Sequence, residues 1–293
     1  MAEVRAPSPG RRLRDALAAG PVLLPGVFNA LVARLAERQG FKAVYLSGAA
    51  LSASHALPDV GLVTLTEFAA AAQSITQATS LPLVCDADTG FGEALHVERT
   101  ASLFESAGAA GIHLEDQQMP KRCGHLSGKA LVEPEVMAAK LRAAVAARRD
   151  PDFFLIARTD ARGVTGFADA VRRSNLYRQA GADAIFPEAL ETPEEFAAFA
   201  REVPGPLLAN MTEFGKSSLL DATALAELGY RLILFPVTTL RVALKAAELA
   251  LAEIMARGTQ AAALDQMLTR AQLYDLLGYT GYEERDKRYF GGQ

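Results

Sequence analysis

The chain has 293 residues, half of them hydrophobic, and a formal net charge of −4. That length suits one large α/β domain or two small ones, with ample material for a buried core. The mild acidity argues against nucleic acid or an anionic membrane as main partner, because both require a basic face. Its apolar runs are too short and interrupted for a membrane span. The opening MAEVRAPSPGRRLRD has no apolar segment of signal-peptide kind. Two cysteines in unlike surroundings read as reduced thiols of a cytoplasmic protein.

Residues 1–18 read as a helix. Short, nearly continuous apolar runs then alternate with helical patterns. The runs are PVLLPGV (21–27), AVYLSG (43–48), LPLVCDAD (81–88), AGIHLED (110–116), FFLIART (153–159), DAIFPE (183–188), PLLANM (206–211) and RLILFPV (231–237). Runs of this kind fit parallel strands covered on both faces. Helical stretches lie at 28–40, 65–79, 94–107, 134–148 and 167–180, and several end at a glycine (Gly40, Gly108, Gly181, Gly229). Eight such units predict a (β/α)₈ barrel as one domain over 1–293. An open doubly wound sheet is the alternative, but no G-x-G-x-x-G follows the first run. Residues 239–275 read as extra helices within a C-terminal extension, 239–293. The apolar stripe in LRVALKAAELALAEIM is expected to pack on a neighbouring subunit.

Barrel chemistry sits where the strands end, so polar residues there carry the functional reading. They include Tyr45 and Ser47, Asp86 and Asp88, His113, Glu115 and Asp116, Arg158 and Asp160, Glu188, Asn210 and Thr212, and Arg241 beyond the last strand. Asp86 and Asp88 stand at i and i+2 and can point the same way. With Glu115 and Glu188 they form an oxygen-only cluster suited to Mg²⁺ or Mn²⁺, although pairing with local arginines is the alternative. Arg158 and Arg241 suit carboxylate recognition. Ser47, Asn210, Thr212 and the amides of Gly48 and Gly124 add neutral donors. The implied ligand is a small polycarboxylate chelated to a divalent cation. His113 alternates with Ile112 and Leu114 and reads as a satisfied core histidine.

The stretch KRCGHLSGK (121–129) puts Cys123 between Lys121, Arg122 and His125. Positive surroundings stabilise a thiolate and lower the thiol pKa. A solvated basic loop holding an incidental thiol is the other reading. Cys85, in LPLVCDAD, reads as a packing cysteine.

KRCGH, DADTGFG, HLEDQ, ARTDA, FPEA, ANMTEFG and TRAQLYDLLGY occur in order between about residues 20 and 290. Together they resemble the isocitrate lyase and phosphoenolpyruvate mutase superfamily. The cysteine loop is similar to that of its carbon–carbon lyases, which the mutases generally lack. Arg122 and the absence of large insertions favour the branch acting on methylisocitrate. The resemblance implies Mg²⁺, with Mn²⁺ as substitute, held at Asp86 and Asp88, and at Glu115 through water. It implies retro-aldol cleavage to pyruvate and succinate, in propionate catabolism by the 2-methylcitrate cycle. Tyr45 is the implied base and Cys123 the acid, with Arg158 stabilising charge and His125 next in line as proton donor. Substrate would meet Ser47, Gly48, Ala49, Cys123, Gly124, Arg158, Glu188, Asn210, Met211, Thr212, Arg241 and Arg270. A cytoplasmic homotetramer is expected. LSGAA stands where the superfamily usually has LSGGG, and GHLSGK differs from its usual loop. Phe186 and Leu234 would offer a niche for a methyl group. Dimethylmalate or isocitrate cleavage, or a non-catalytic dicarboxylate-binding barrel, are the alternatives.

Overall fold

Alternation within the apolar runs decides what each strand contributes. The computed structural model describes residues 6–291. Its first unit, up to Thr239, runs α1 (Pro9–Ala19), β1 (Val22–Val27), α2 (Ala30–Arg38), β2 (Val44–Leu46), α3 (Gly48–Ser54), α4 (Leu65–Thr76), β3 (Leu83–Asp86) and α5 (Ala94–Ser106). It continues with β4 (Gly111–Glu115), α6 (Pro134–Ala147), β5 (Phe154–Thr159), α7 (Phe167–Gln179), β6 (Ala184–Pro187), α8 (Pro193–Glu202), β7 (Leu208–Asn210), α9 (Ala222–Glu227) and β8 (Leu232–Phe235). The strands pair in parallel in the order β6-β5-β4-β3-β2-β1-β8-β7. A parallel bridge between Ile185 and Leu207 joins the two ends, completing a (β/α)₈ barrel.

Two apolar layers follow from the period of two. Tyr45, Val84, Phe154, Ile156, Ala184, Phe186, Leu208, Leu232 and Leu234 fill one cluster together with Leu13 and Leu17 of α1. Their neighbours Val44, Leu83, Cys85, Ile112, Leu155, Ala157, Ile185 and Ile233 join the helices in the other. Cys85 is a packing residue, as expected. Side chains one step beyond the inner set, in the same register, are Ser47, Asp86, Glu115, Arg158, Glu188 and Asn210. The barrel's inner register therefore turns polar at one end, and that end is the mouth.

Local signals set the boundaries. Ser8 caps α1 by accepting from the Arg11 amide, and Pro9 opens it, so that helix begins later than the sequence pattern indicated. Residues 1–5 lie outside the described residues. The expected strand 43–48 stops at Leu46 because Ser47 accepts from the Ala50 amide and caps α3. Gly40, Gly108, Gly181 and Gly229 all follow helices with positive φ, at +85°, +85°, +106° and +97°. That is the left-handed turn expected of a helix C-terminus.

The second unit, from Leu240, contains most of α10 (Thr238–Arg257), then α11 (Arg270–Leu277) and α12 (Tyr279–Tyr289). Gly278, at φ +67°, separates the last two, and Tyr274 stacks on Tyr279 at 4.8 Å between ring centroids. In α10, Val242, Leu244, Leu249, Leu251, Ile254 and Met255 are exposed. Among the described residues no helix is long and apolar enough to cross a membrane.

Candidate active site

Asp86 ends β3 and is buried. Its Oδ1 accepts from the Asp88 amide at 2.9 Å, and its Oδ2 accepts from the Gly48 amide at 3.0 Å. A Cβ at position 48 would lie 2.7 Å from that Oδ2, so only glycine lets the backbone approach the carboxylate. His113 Nε2 lies 3.0 Å from Asp86 Oδ1, a charge contact rather than an aligned hydrogen bond. Burial pushes the Asp86 carboxyl up, but His113, Lys121 and Arg158 outweigh it and hold it far below the usual carboxylate range. Asp88, at φ +44°, turns beside it. Burial and the Asp86 charge push Asp88 up to about 6. Lys121, almost wholly buried, sits 2.7 Å from Asp88 Oδ1 and also bonds Asp59.

Arg158 gathers the other carboxylates. It meets Asp160 at 2.9 and 3.2 Å, Glu115 at 3.3 Å and Glu188 at 3.2 Å, with its guanidinium 5.1 Å above the Phe186 ring. Asn210 Nδ2 donates to Glu188 at 3.3 Å. Burial pushes Glu188 up, yet Arg158, His125 and Lys129 hold it well below its ordinary value. Burial raises Glu115 well above its own. Glu115 Oε1 is a buried acceptor that no hydrogen-bond donor satisfies, and Asp88 Oδ1 has only the Lys121 ammonium beside it, without an aligned hydrogen bond. Among the described residues no three Asp, Glu, His or Cys side chains converge on a single metal position. Two hard carboxylate acceptors with open coordination fit a cation of the Mg²⁺ kind, which keeps water and substrate oxygens for its remaining ligands.

The cysteine loop lies over this set. A Cβ at Gly124 would come within 2.4 Å of an Arg158 nitrogen and 2.5 Å of Glu188, so glycine is required where the loop crosses them. His125 Nδ1 accepts from the Lys216 amide at 2.9 Å, which places its proton on Nε2, 3.0 Å from Glu188 Oε1. The expected cationic nest around Cys123 is not what forms. Lys121 turns to Asp59 and Asp88, and Arg122 donates to the Ser127 carbonyl at 3.3 Å. Burial pushes the Cys123 thiol up, against the lowering influence of the His125 backbone N–H and Arg158. The thiol is thus kept protonated rather than ionised. Beyond Asp88 a cavity of about 600 Å³ opens, lined by Gly61, Thr64, Thr66, Thr89, Phe91 and Arg99 among others.

Residues 13–255 match the family described as phosphoenolpyruvate phosphomutase. The chain belongs to this family. It is 56% identical to 2-methylisocitrate lyase of Aeropyrum pernix, over 95% of this chain and 90% of that one. It is 43% identical to 2,3-dimethylmalate lyase of Eubacterium barkeri, over 93% and 94%. Among solved structures, 2,3-dimethylmalate lyase aligns with a TM-score of 0.91 at 36% identity, covering 98% of this chain and 97% of that one. Phosphonopyruvate hydrolase in complex with oxalate and Mg²⁺ aligns with a TM-score of 0.88 at 33% identity, covering 97% and 100%.

Of the residues singled out in the sequence, Ser47, Gly48, Asp86, Asp88, Glu115, Cys123, Gly124, His125, Arg158, Glu188 and Asn210 gather at the mouth. Ala49 is half-buried in the first turn of α3, and Thr212 is buried in the loop after β7. Met211 is buried, its sulfur accepting from the Leu220 amide at 3.4 Å. Arg241, in α10, and Arg270, opening α11, belong to the second unit. Several expectations need correction. The Gly48 amide is taken by Asp86 and is no free donor. Asp116 points outward, bonded to Thr159, Tyr177 and the Asp160 amide, so it supports the mouth rather than lining it. His113 is a core histidine bonded to Tyr45 at Nδ1, but its Nε2 has no aligned hydrogen bond and instead faces Asp86 Oδ1 at 3.0 Å. Tyr45 OH and His113 Nδ1 share a hydrogen bond at 2.9 Å, and burial raises the phenol well above the ordinary value. The phenol is thus bound to His113 beneath the mouth rather than open to it. Asp59 carried no signal in the sequence. Lys121 and Lys129 did, but as loop charge rather than as buried ammonium groups.

Proposed function

We propose that the chain cleaves 2-methylisocitrate to pyruvate and succinate. The observation carrying this reading is the Cys123–Gly124 turn seated over Arg158 and Glu188, next to the buried Glu115 Oε1, which has no donor. The relatives named 2-methylisocitrate lyase point the same way. Asp86 and Asp88 would hold Mg²⁺, or Mn²⁺ in its place, with Glu115 acting through water. When bound, the metal supplies Lewis acidity that eases deprotonation of the substrate hydroxyl and the ensuing cleavage.

The chain's own groups do the rest. Asp86 is kept anionic by His113, which Tyr45 orients through Nδ1. Arg158 and Asn210 draw the substrate carboxylate, and Arg158 steadies negative charge as it develops. Cys123 Sγ hands its proton to the succinate carbanion, and the His125 backbone N–H and Arg158 then face the thiolate. The loop excludes water from the carbanion while it lasts. Phe186 and Leu234, both buried on the inner register, bound the apolar side. Arg241 and Arg270 are further substrate residues of this reading, supported by the resemblance of their motifs. The exposed apolar face of α10 supports assembly with further copies of the chain as a tetramer. The pathway served would be propionate catabolism, in the cytoplasm.

The second reading is cleavage of 2,3-dimethylmalate, favoured by the relative and the solved structure of that activity. One methyl group supplies only about 1–3 kcal/mol of discrimination, so both substrates merit assay. The test offers purified enzyme methylisocitrate, isocitrate and dimethylmalate with Mg²⁺. Pyruvate formed fastest from methylisocitrate is the expected result. Glyoxylate from isocitrate as the dominant product, or no turnover at all, would overturn the reading.

A further inference from the structure

We infer that Lys129 is a positioning residue that fixes the Gly124–His125 peptide, directly after Cys123, in the geometry from which the thiol delivers its proton. This rests on the lyase reading above and extends it to a residue outside the reacting groups. Lys129 lies six positions after the cysteine, in a loop where an ammonium would ordinarily be solvated. Instead its side chain is only 3% exposed, and Nζ sits 2.6 Å from Asp160 Oδ1 while also donating to the Gly124 carbonyl. Burying an ammonium costs several kcal/mol unless strong partners compensate, so this placement is enforced by the pairing.

Both ends of the bridge are anchored. Asp160 is immobilised by its backbone N–H, which donates to Asp116 Oδ1 at 2.9 Å, and by the two contacts with Arg158. The Gly124 carbonyl belongs to the residue directly after Cys123. On the other side of the cysteine, Gln117 clamps Arg122 at both backbone groups, accepting from its N–H at 2.9 Å and donating to its carbonyl at 2.8 Å. Cys123 is therefore held between two fixed points, Gln117 before it and Lys129 after it. Gly128, at φ +79°, gives the loop the left-handed turn just before Lys129. The His125 ring holds the far side of this peptide through the Lys216 amide and Glu188, and the lysine bridge holds its carbonyl.

The test uses Lys129→Met, which keeps most of the side chain and removes the ammonium, with Lys129→Gln as a milder second variant. Two readouts separate positioning from general stability. The first is alkylation of the resting enzyme by iodoacetamide. Cys85 is fully buried in the outer core, so labelling reports Cys123. Losing the bridge should speed labelling by about tenfold, because the rate follows the population of opened loop. The second is the kinetic split. kcat should fall by about 10²-fold, the order expected from misplacing a reacting group by about an ångström, while KM stays nearly constant. Lys129→Gln should lie between native and Met on both scales. Unchanged labelling with unchanged kcat in a folded Lys129→Met enzyme would overturn the inference, as would a rise in KM alone. Faster labelling in a protein whose native form cleaves none of the three acids would uphold the bridge and sink the lyase reading instead.

Discussion

Glu115 and Asp116 are neighbours on one strand, both buried, and they face opposite ways. Asp116, in the outer layer, receives Thr159 Oγ1 at 2.7 Å, Tyr177 OH at 2.8 Å, the Asp160 amide at 2.9 Å and Arg173 at 3.3 Å. Glu115, on the inner register, has Arg158 at 3.3 Å on one oxygen and no donor on the other. Burial raises both carboxyls above their ordinary values. Burial therefore does not tell the two apart. What separates a structural carboxylate from a working one is whether its oxygens are already satisfied, since a native fold rarely leaves a buried acceptor bare without a use for it.

The largest effect should come from the inner side. Asp88→Asn keeps a residue that tolerates its left-handed backbone, and Lys121 retains Asp59. Turnover should vanish, and divalent-cation-dependent ligand binding with it, while the melting temperature moves little. Excess chelator on the native enzyme should give the same loss, reversed by Mg²⁺ or Mn²⁺. Full activity in chelator would break the division between working and structural carboxylates at its main point.

Next in size is the thiol. Cys123→Ser preserves volume but offers a hydroxyl of negligible acidity, so turnover should fall by about 10²–10⁴-fold, the range for loss of a general acid. Binding of Mg²⁺ with pyruvate and succinate, read by calorimetry, should weaken little. Near-native turnover would move the search for the acid to His125, although its Nε2 already faces Glu188.

The satisfied side should respond in stability instead. Asp116→Ala removes the weaker of two carboxylate partners of Arg173, which keeps Asp169 at 2.9 Å, and leaves Tyr177 and Thr159 without their acceptor. A buried donor left unsatisfied typically costs about 1–3 kcal/mol. Denaturant melts should show a loss of that order, while the folded fraction keeps its cation affinity. A specific loss of cation binding without destabilisation would place Asp116 among the working groups after all.

That contrast also marks how far the sequence could be read. All eight strands were legible because parallel strands covered on both sides are continuous apolar runs closed by glycine turns. Asp86, Asp88, Glu115, Arg158 and Glu188 were legible because they end those runs. The facing direction of Asp116 follows from counting in twos from His113, a signal that was present but not used. The setting of Cys123 was not legible. Lys121, Arg122 and His125 are adjacent to it in the chain, but whether a loop cation faces a thiol depends on partners far away, here Asp59 and Glu188. Likewise Ser47 ended a strand earlier than its apolar pattern indicated because a side-chain cap competes with continued pairing.

The smallest effect, and the sharpest on the chemistry, concerns Tyr45. It is buried beneath the mouth, shares a hydrogen bond with His113 Nδ1 at 2.9 Å and stacks on that ring at 5.9 Å between centroids. His113 in turn faces Asp86. Tyr45 thus stands two steps from any reacting atom, in the place of a group that orients a ligand's partner. Tyr45→Phe should keep the stacking, leave one histidine nitrogen without its partner and lower kcat by about 10-fold, with cation affinity falling by a similar factor. Removal of such outer partners elsewhere costs about 10–100-fold. A catalytic base would behave otherwise: kcat would collapse by several orders of magnitude while cation affinity held. The two outcomes differ in both kcat and affinity, so one titration with Mn²⁺ and one set of initial rates decide between them.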